Sequence, residues 1–207
     1  MIMGISFRKF FKKDRKEYPW PTDSANWDKL YPGLKVPIHA PHLYIRKSAE
    51  TDDYSRKIVE SKDTNLSDFF LPELRPIFKE RFSETDLIIV VPSSKEHHFS
   101  PTLVSIARKL SEENSIKNEN IIERIKSIEK CSHTAKLQDR FNHIQGTMKI
   151  KRDLQESETK ILLIDDTKAS GVNLLECSKI LHDNVPFNYL NIGALCLGIN
   201  KKGWEYD

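Results

Sequence analysis

Two adjacent carboxylates, Asp165 and Asp166, directly follow an apolar run from Ile161 to Ile164. A short polar turn containing Ser170 and Gly171 comes next, and then an amphipathic segment. The order reads as a buried strand, a loop at its carboxyl end, and a helix start whose free amides attract an anion. Paired acids before such a cradle suit a ligand that carries sugar hydroxyls as well as a phosphate. A phosphorylated ribose is the ligand this pattern suggests first. A second cluster, Ser93, Ser94 and Lys95, follows the apolar run Leu87 to Val91. Its hydroxyls, backbone amides and ammonium suit a diphosphate.

These groups need a scaffold that brings them together. Leu87–Val91 is a β-branched run between polar flanks, the signature of a buried strand. Residues 160–165 and Tyr189–Leu197 predict two more strands, with shorter ones at Ile121–Ile125 and Thr147–Ile150. Helical spacing marks 53–62, 67–83 and 171–182, and Pro186 stops the last of these. Pro72 and Pro76 predict a broken or late-starting helix within 67–83. Ser100-Pro101 opens another helix, with serine as the cap and proline in the first turn. Residues 133–141 read as a polar loop or a short helix. Strands alternating with helices predict an α/β fold, a mainly parallel sheet flanked by helices. Ligands bind outside the carboxyl ends of such strands, so both polar clusters should share one rim.

The stretch from Lys160 to Asn173 resembles the phosphoribosyl diphosphate (PRPP) binding motif of type I phosphoribosyltransferases. There an apolar strand leads into two acids, two variable residues, and then a small or hydroxyl pair with glycine. Asp165 and Asp166 are the acids, Thr167 and Lys168 the variable pair, and Ala169-Ser170-Gly171 closes the turn. The resemblance implies that Asp165 and Asp166 hold the ribose hydroxyls and favour a cationic sugar. It implies that amides of Ala169 to Val172, with Ser170 and Asn173 side chains, hold the 5-phosphate. Ser93, Ser94 and Lys95 are similar to the family's pyrophosphate loop. Gln138, Arg140, Asn142 and Gly146 match a signature of the ComF-like branch, in which a mobile segment covers the diphosphate. Lys136 and Arg140 would there offset charge on the leaving group.

Altogether the resemblance covers about residues 53–199. It implies transfer of ribose 5-phosphate from PRPP to a nitrogenous acceptor with release of pyrophosphate. Mg²⁺ would be bound mainly through PRPP, with no dedicated metal ligands from the protein. Two departures stand out. Ala169 replaces the aspartate of enzymes acting on 6-oxopurines, which disfavours a hypoxanthine or guanine acceptor. Asn173 replaces the usual threonine, although its amide can still donate. The N-terminal cysteine cluster of many ComF-like chains has no counterpart before Cys131. The sequence is silent on oligomeric state, although this fold often pairs, which leaves a homodimer open.

Composition limits the alternatives. The chain has 207 residues, 38% of them hydrophobic, and a mean hydropathy of −0.54. No apolar run approaches the roughly 18 residues of a membrane span, and the first residues lack a secretory pattern. Cys131, Cys177 and Cys196 are odd in number and widely spread, which suits free thiols in a reducing cytoplasm. His97-His98 and Cys131-Ser-His133 lack the spacings of a structural zinc site. A formal charge of +3 is no general attraction to nucleic acid, but Arg8–Lys16 holds six basic residues and one acid. That run suits nucleic acid, an anionic membrane surface or an acidic partner, or it is simply a solvated terminus. Five prolines before residue 42 predict an irregular N-terminal hood over residues 1–50, with the main domain in 51–207. Two other functions stay open on this reading. One is a PRPP- or nucleotide-sensing module without turnover, and the other is a partner-binding protein in DNA uptake or nucleic-acid defence.

Overall fold

Leu162, Leu163 and Ile164 are fully buried because they lie in the middle of a parallel sheet with helices on both faces. The computed structural model describes residues 30–31, 33–44, 52–129, 136–185 and 189–200. Arg8–Lys16, Cys131, His133 and the three tryptophans lie outside the described residues. The elements in chain order begin with β1 (Ile38–His39), β2 (His42–Tyr44), α1 (Asp53–Glu60), α2 (Ser67–Arg81) and β3 (Leu87–Val90). Then come α3 (Pro101–Asn114), β4 (Lys117–Asn118), β5 (Ile122–Arg124), α4 (Leu137–Ile144) and β6 (Met148–Ile150). The last three are β7 (Lys160–Lys168), α5 (Val172–Asp183) and β8 (Asn191–Asn200).

The main sheet runs β1-β8-β7-β3-β4, with β2 also on β8, and every pairing in it is parallel. Alternating side chains divide its core in two. Ile88, Val90, Leu162, Ile164 and Leu195 pack against α1, α2 and α3 through residues such as Ile58, Phe70 and Leu103. Leu87, Ile89, Ile161, Leu163 and Ala194 face α4 and α5 through Phe141, Leu174 and Leu181. The chain leaves β3 through α3 to reach β4 on one side, then returns to β7 on the other. Strand order therefore reverses between β3 and β7. In an open α/β sheet that reversal opens a crevice at the carboxyl ends.

Four expectations are corrected. Helix α2 runs unbroken through Pro72 and Pro76. The prolines are four residues apart on its exposed face, so the carbonyls they leave unpaired, at Asp68 and Pro72, belong to exposed residues. The segment from Leu34 is also not wholly irregular: β1 and β2 extend the sheet beside β8, and Leu34, Val36, Ile38 and Ala40 are buried. Strands β5 and β6 form a separate antiparallel pair instead of joining the main sheet. Strand β7 continues beyond the acids to Lys168, because β8 keeps pairing with it as far as Ile199. The capped helix start is as expected: the Ser100 side chain accepts from Leu103 N at 3.5 Å and donates to Ser61 O at 2.9 Å.

Gly193 marks a close approach of β8 to the loop after α2. A Cβ there would lie 2.6 Å from Cε1 of Phe82, which is itself buried. Gly193→Ala is expected to destabilise the fold by about 1 kcal/mol through overpacking. Thermal unfolding checks this, and an unchanged midpoint would mean that Phe82 yields without cost.

Candidate functional site

Strand β3 pairs with β7 only as far as Val90 opposite Ile164, and Val91 N donates the last bond to Ile164 O at 2.9 Å. Beyond that point β7 remains paired with β8 but has lost its β3 neighbour. Asp165 and Asp166 lie on this released stretch. A cleft of about 270 Å³ opens beside them at the strand-order reversal. It gathers six residues of the sequence-derived set: Ser93, Ser94, Lys95, Asp165, Asp166 and Asn173. Residues more than seventy positions apart thus meet at one rim, as the strand order requires.

The two acids are held differently. Asp166 Oδ1 accepts from Thr167 N at 2.6 Å and from Thr167 Oγ1 at 3.1 Å. Its Oδ2 pairs with Lys62 Nζ at 2.6 Å. Burial works against the Lys62 ammonium, but Asp166, with Asp165 behind it, outweighs burial and raises its pKa. Among the described residues Asp165 has no such partner, and its Oδ1 accepts from Asp166 N at 2.8 Å. Burial first, and the Asp166 charge second, push the Asp165 carboxyl up to about 8. Both effects favour the protonated form of Asp165.

The 92–98 loop is tied into a fixed shape. Ser93 N donates to His98 O at 3.0 Å, and Ser93 Oγ lies 3.0 Å from His98 Nδ1. Lys95 N donates to that same Oγ at 3.2 Å. Ile128 N donates to Ser94 O at 2.9 Å, anchoring the loop to the chain after β5. His97 takes a left-handed conformation at φ 50°, with its N–H on Arg124 O. The Lys95 side chain is exposed at the cleft, where it can reach an anion.

Under the cleft lies Arg124, fully buried at the end of β5. Its Nε donates to Ser93 O, its Nη1 to Thr147 Oγ1 at 2.6 Å, and its Nη2 to Asn173 Oδ1 at 3.1 Å. Burial lowers its pKa, partly opposed by the charges of Asp165 and Glu176. Gly171 caps α5 at φ 75°, a conformation that favours glycine, and among the described residues no side chain caps the helix. The first intrahelical bond is Leu175 N to Gly171 O at 2.9 Å, so the earlier amides stay available.

The remaining sequence-derived residues do not line this cleft. Val172 is part of the core, so only its backbone is available there, and the Lys168 side chain is buried at the end of β7. Thr167 spends its hydroxyl on Asp166. Ala169, Ser170 and Gly171 form the turn into α5 without contributing side chains to the cleft wall. Lys136 and Arg140 belong to the start of α4, which packs on α5, and they too stay off the wall. Gln138 bonds Asn142 within that helix at 2.9 Å, and Gly146, at φ 73°, donates its N–H to Glu176 Oε1 at 2.9 Å. These last contacts give the Gln138-to-Gly146 stretch a structural role.

Lys62 and Arg124 were missed in the sequence. Lys62 is one of 33 basic residues and has no motif around it. Arg124 did leave a signal, as one of two charged residues, with Glu123, that interrupt the apolar stretch Ile121–Ile125. Cys177 and Cys196 are free and buried, and burial pushes both thiols up, away from reactivity. Among the described residues, no group of three or more His, Cys, Asp or Glu is placed to hold a metal, and no helix is long and apolar enough to cross a membrane.

The fold and the cleft define an α/β protein with a mainly parallel sheet flanked by helices and a polar crevice at its switch point. No model of a known protein family matches this chain, and no curated protein matches it.

Proposed function

We propose that this chain is a type I phosphoribosyltransferase-like protein of the ComF-like kind that binds PRPP. It transfers ribose 5-phosphate to a nitrogenous acceptor and releases pyrophosphate. The observation that carries this reading is the meeting of Ser93–Lys95, the Asp165-Asp166 pair and Asn173 around one cleft. A ligand with a diphosphate, a diol and a phosphomonoester needs those three groups in that neighbourhood. The first-turn amides of α5 and the Asn173 side chain take the 5-phosphate. Asp165 and Asp166 accept hydrogen bonds from the 2- and 3-hydroxyls, and their charge favours the cationic sugar that forms as pyrophosphate leaves. Ser93, Ser94 and Lys95 take the diphosphate. Mg²⁺ would be held mainly through PRPP itself, near the hard carboxylate oxygens of Asp165 and Asp166, and would neutralise diphosphate charge. Cytoplasmic residence and a homodimer belong to the same reading.

The Lys62–Asp166 ion pair supports a second reading, a PRPP or nucleotide sensor without turnover. A ligand that claims Asp166 must release Lys62, which would move the turn between α1 and α2. A partner, whether a protein or a nucleic acid in DNA uptake or defence, would then sense that movement. Pyrophosphate release from PRPP with a panel of nitrogenous acceptors separates the two readings. The enzyme reading expects release with at least one acceptor, lost in Asp165→Asn/Asp166→Asn. PRPP binding without release with any acceptor would favour the sensor.

A further inference from the structure

We propose that Arg124 is a positioning residue that aims two hydrogen-bond donors, one on each side of the cleft, at a ligand with phosphates at both ends. This rests on the PRPP reading above and adds how the two phosphate subsites are set. An arginine side chain only donates. The bond from Arg124 Nη2 to Asn173 therefore fixes which way the Asn173 amide is turned, with Oδ1 toward the guanidinium. The two Nδ2 hydrogens must then face away from it, on a residue that lines the cleft in the first turn of α5. The threonine of the resembling family donates through a hydroxyl that rotates freely, whereas this asparagine donates only as its neighbour allows.

The same guanidinium acts on the opposite wall. Arg124 Nε holds Ser93 O toward the protein interior. All peptide bonds among the described residues are trans, so the Ser94 N–H points opposite to that carbonyl. Ser94 lines the cleft as well. One buried cation thus turns the Ser94 N–H and the Asn173 amide outward together. Thr147 completes the support: its hydroxyl donates to Ile144 O at 2.6 Å, leaving its oxygen to accept from Arg124 Nη1. Among the described residues, no carboxylate comes within ion-pair distance of Arg124. Asp165 and Glu176 act on its charge from beyond that distance, and an anionic ligand held by the donors it aims adds to that compensation.

Asn173→Asp tests this with little change in shape. The aspartate still accepts from Arg124, as an ion pair, but offers the ligand a charged acceptor where the amide donated. Its thermal midpoint is expected to equal or exceed that of the wild type. Its affinity for ribose 5-phosphate, measured by calorimetry, is expected to fall at least about tenfold, the effect of losing one charge-assisted hydrogen bond. Asn173→Thr, which keeps a donor, is expected to lose less than Asn173→Asp. Arg124→Lys is expected to weaken ribose 5-phosphate and PRPP alike; because it can also disturb the fold, the Asn173 pair carries the decision. Wild-type binding of ribose 5-phosphate with an unchanged affinity in Asn173→Asp would overturn this inference alone. A folded wild type that binds neither ribose 5-phosphate nor PRPP would overturn the parent reading and this one with it.

Discussion

Asp165→Asn is expected to make the ligand-free protein more stable above pH 8, although it removes a residue placed at the heart of the cleft. An unfolded aspartate titrates near 3.9. In the fold, burial and the Asp166 charge push Asp165 up to about 8. Between those values the native state keeps a proton that the unfolded chain has lost. Stability from this group is therefore greatest at low pH, falls as pH rises from about 4, and is gone above about 8. Asp165 is only half-buried and lines the cleft, which reduces the cost of ionisation to on the order of 2 kcal/mol. An asparagine never ionises and avoids that cost. Thermal unfolding from pH 5 to pH 9 should show a wild-type curve that declines and a variant curve that is flatter and higher at the alkaline end. Parallel curves would mean that Asp165 is already ionised in the folded protein.

The same arrangement bears on ligand binding. Ribose hydroxyls donate to a carboxylate, and a cation near it favours ionisation, so the bound form of the pair is the charged one. Binding at neutral pH should then release up to about one proton. The heat of binding would vary with the ionisation enthalpy of the buffer.

Much of this architecture was legible from side-chain periodicity. Ile161–Ile164 and Leu87–Val90 read as buried strands because the β-branched and leucine run has no polar break, and both are central strands. The shared rim followed from strand–helix alternation, which dictates that parallel strands end on one side. What escaped the sequence depended on long-range pairing. The register that carries β7 to Lys168 is set by β8, some thirty residues later, and no local pattern announces it. Strands β1 and β2 span two and three residues among prolines, too short for alternation to register. Continuity of α2 depended on where Pro72 and Pro76 fall around the helix, which local propensity alone does not weigh against the packing of Leu71, Leu74, Ile77 and Phe78.

The candidate site divides along the same line. The motif residues were readable because acid pair, turn and helix are contiguous in the chain. Lys62 and Arg124 were not, since each acts through a contact with residues 49 or more positions away: Lys62 on Asp166, and Arg124 on Asn173. Lys136 and Arg140 show the converse. Their local sequence matched a signature, yet α4 packs on α5 beside the cleft without placing either side chain on its wall.

The larger expected effect is on binding. Asp165→Asn/Asp166→Asn removes both acceptors for the ribose diol and releases Lys62 from its ion pair with Asp166. Two charge-assisted hydrogen bonds lost together correspond to at least about 100-fold in affinity. Asparagine keeps the size and shape of both side chains, and a thermal midpoint checks that the double variant is folded, so lost binding would report on the site itself. Calorimetric titration of PRPP with Mg²⁺ into the wild type and the double variant tests the central claim most directly. The account predicts saturable binding to the wild type and none measurable to a folded double variant. A folded wild type that binds no PRPP, or a double variant that binds it equally well, would contradict the claim.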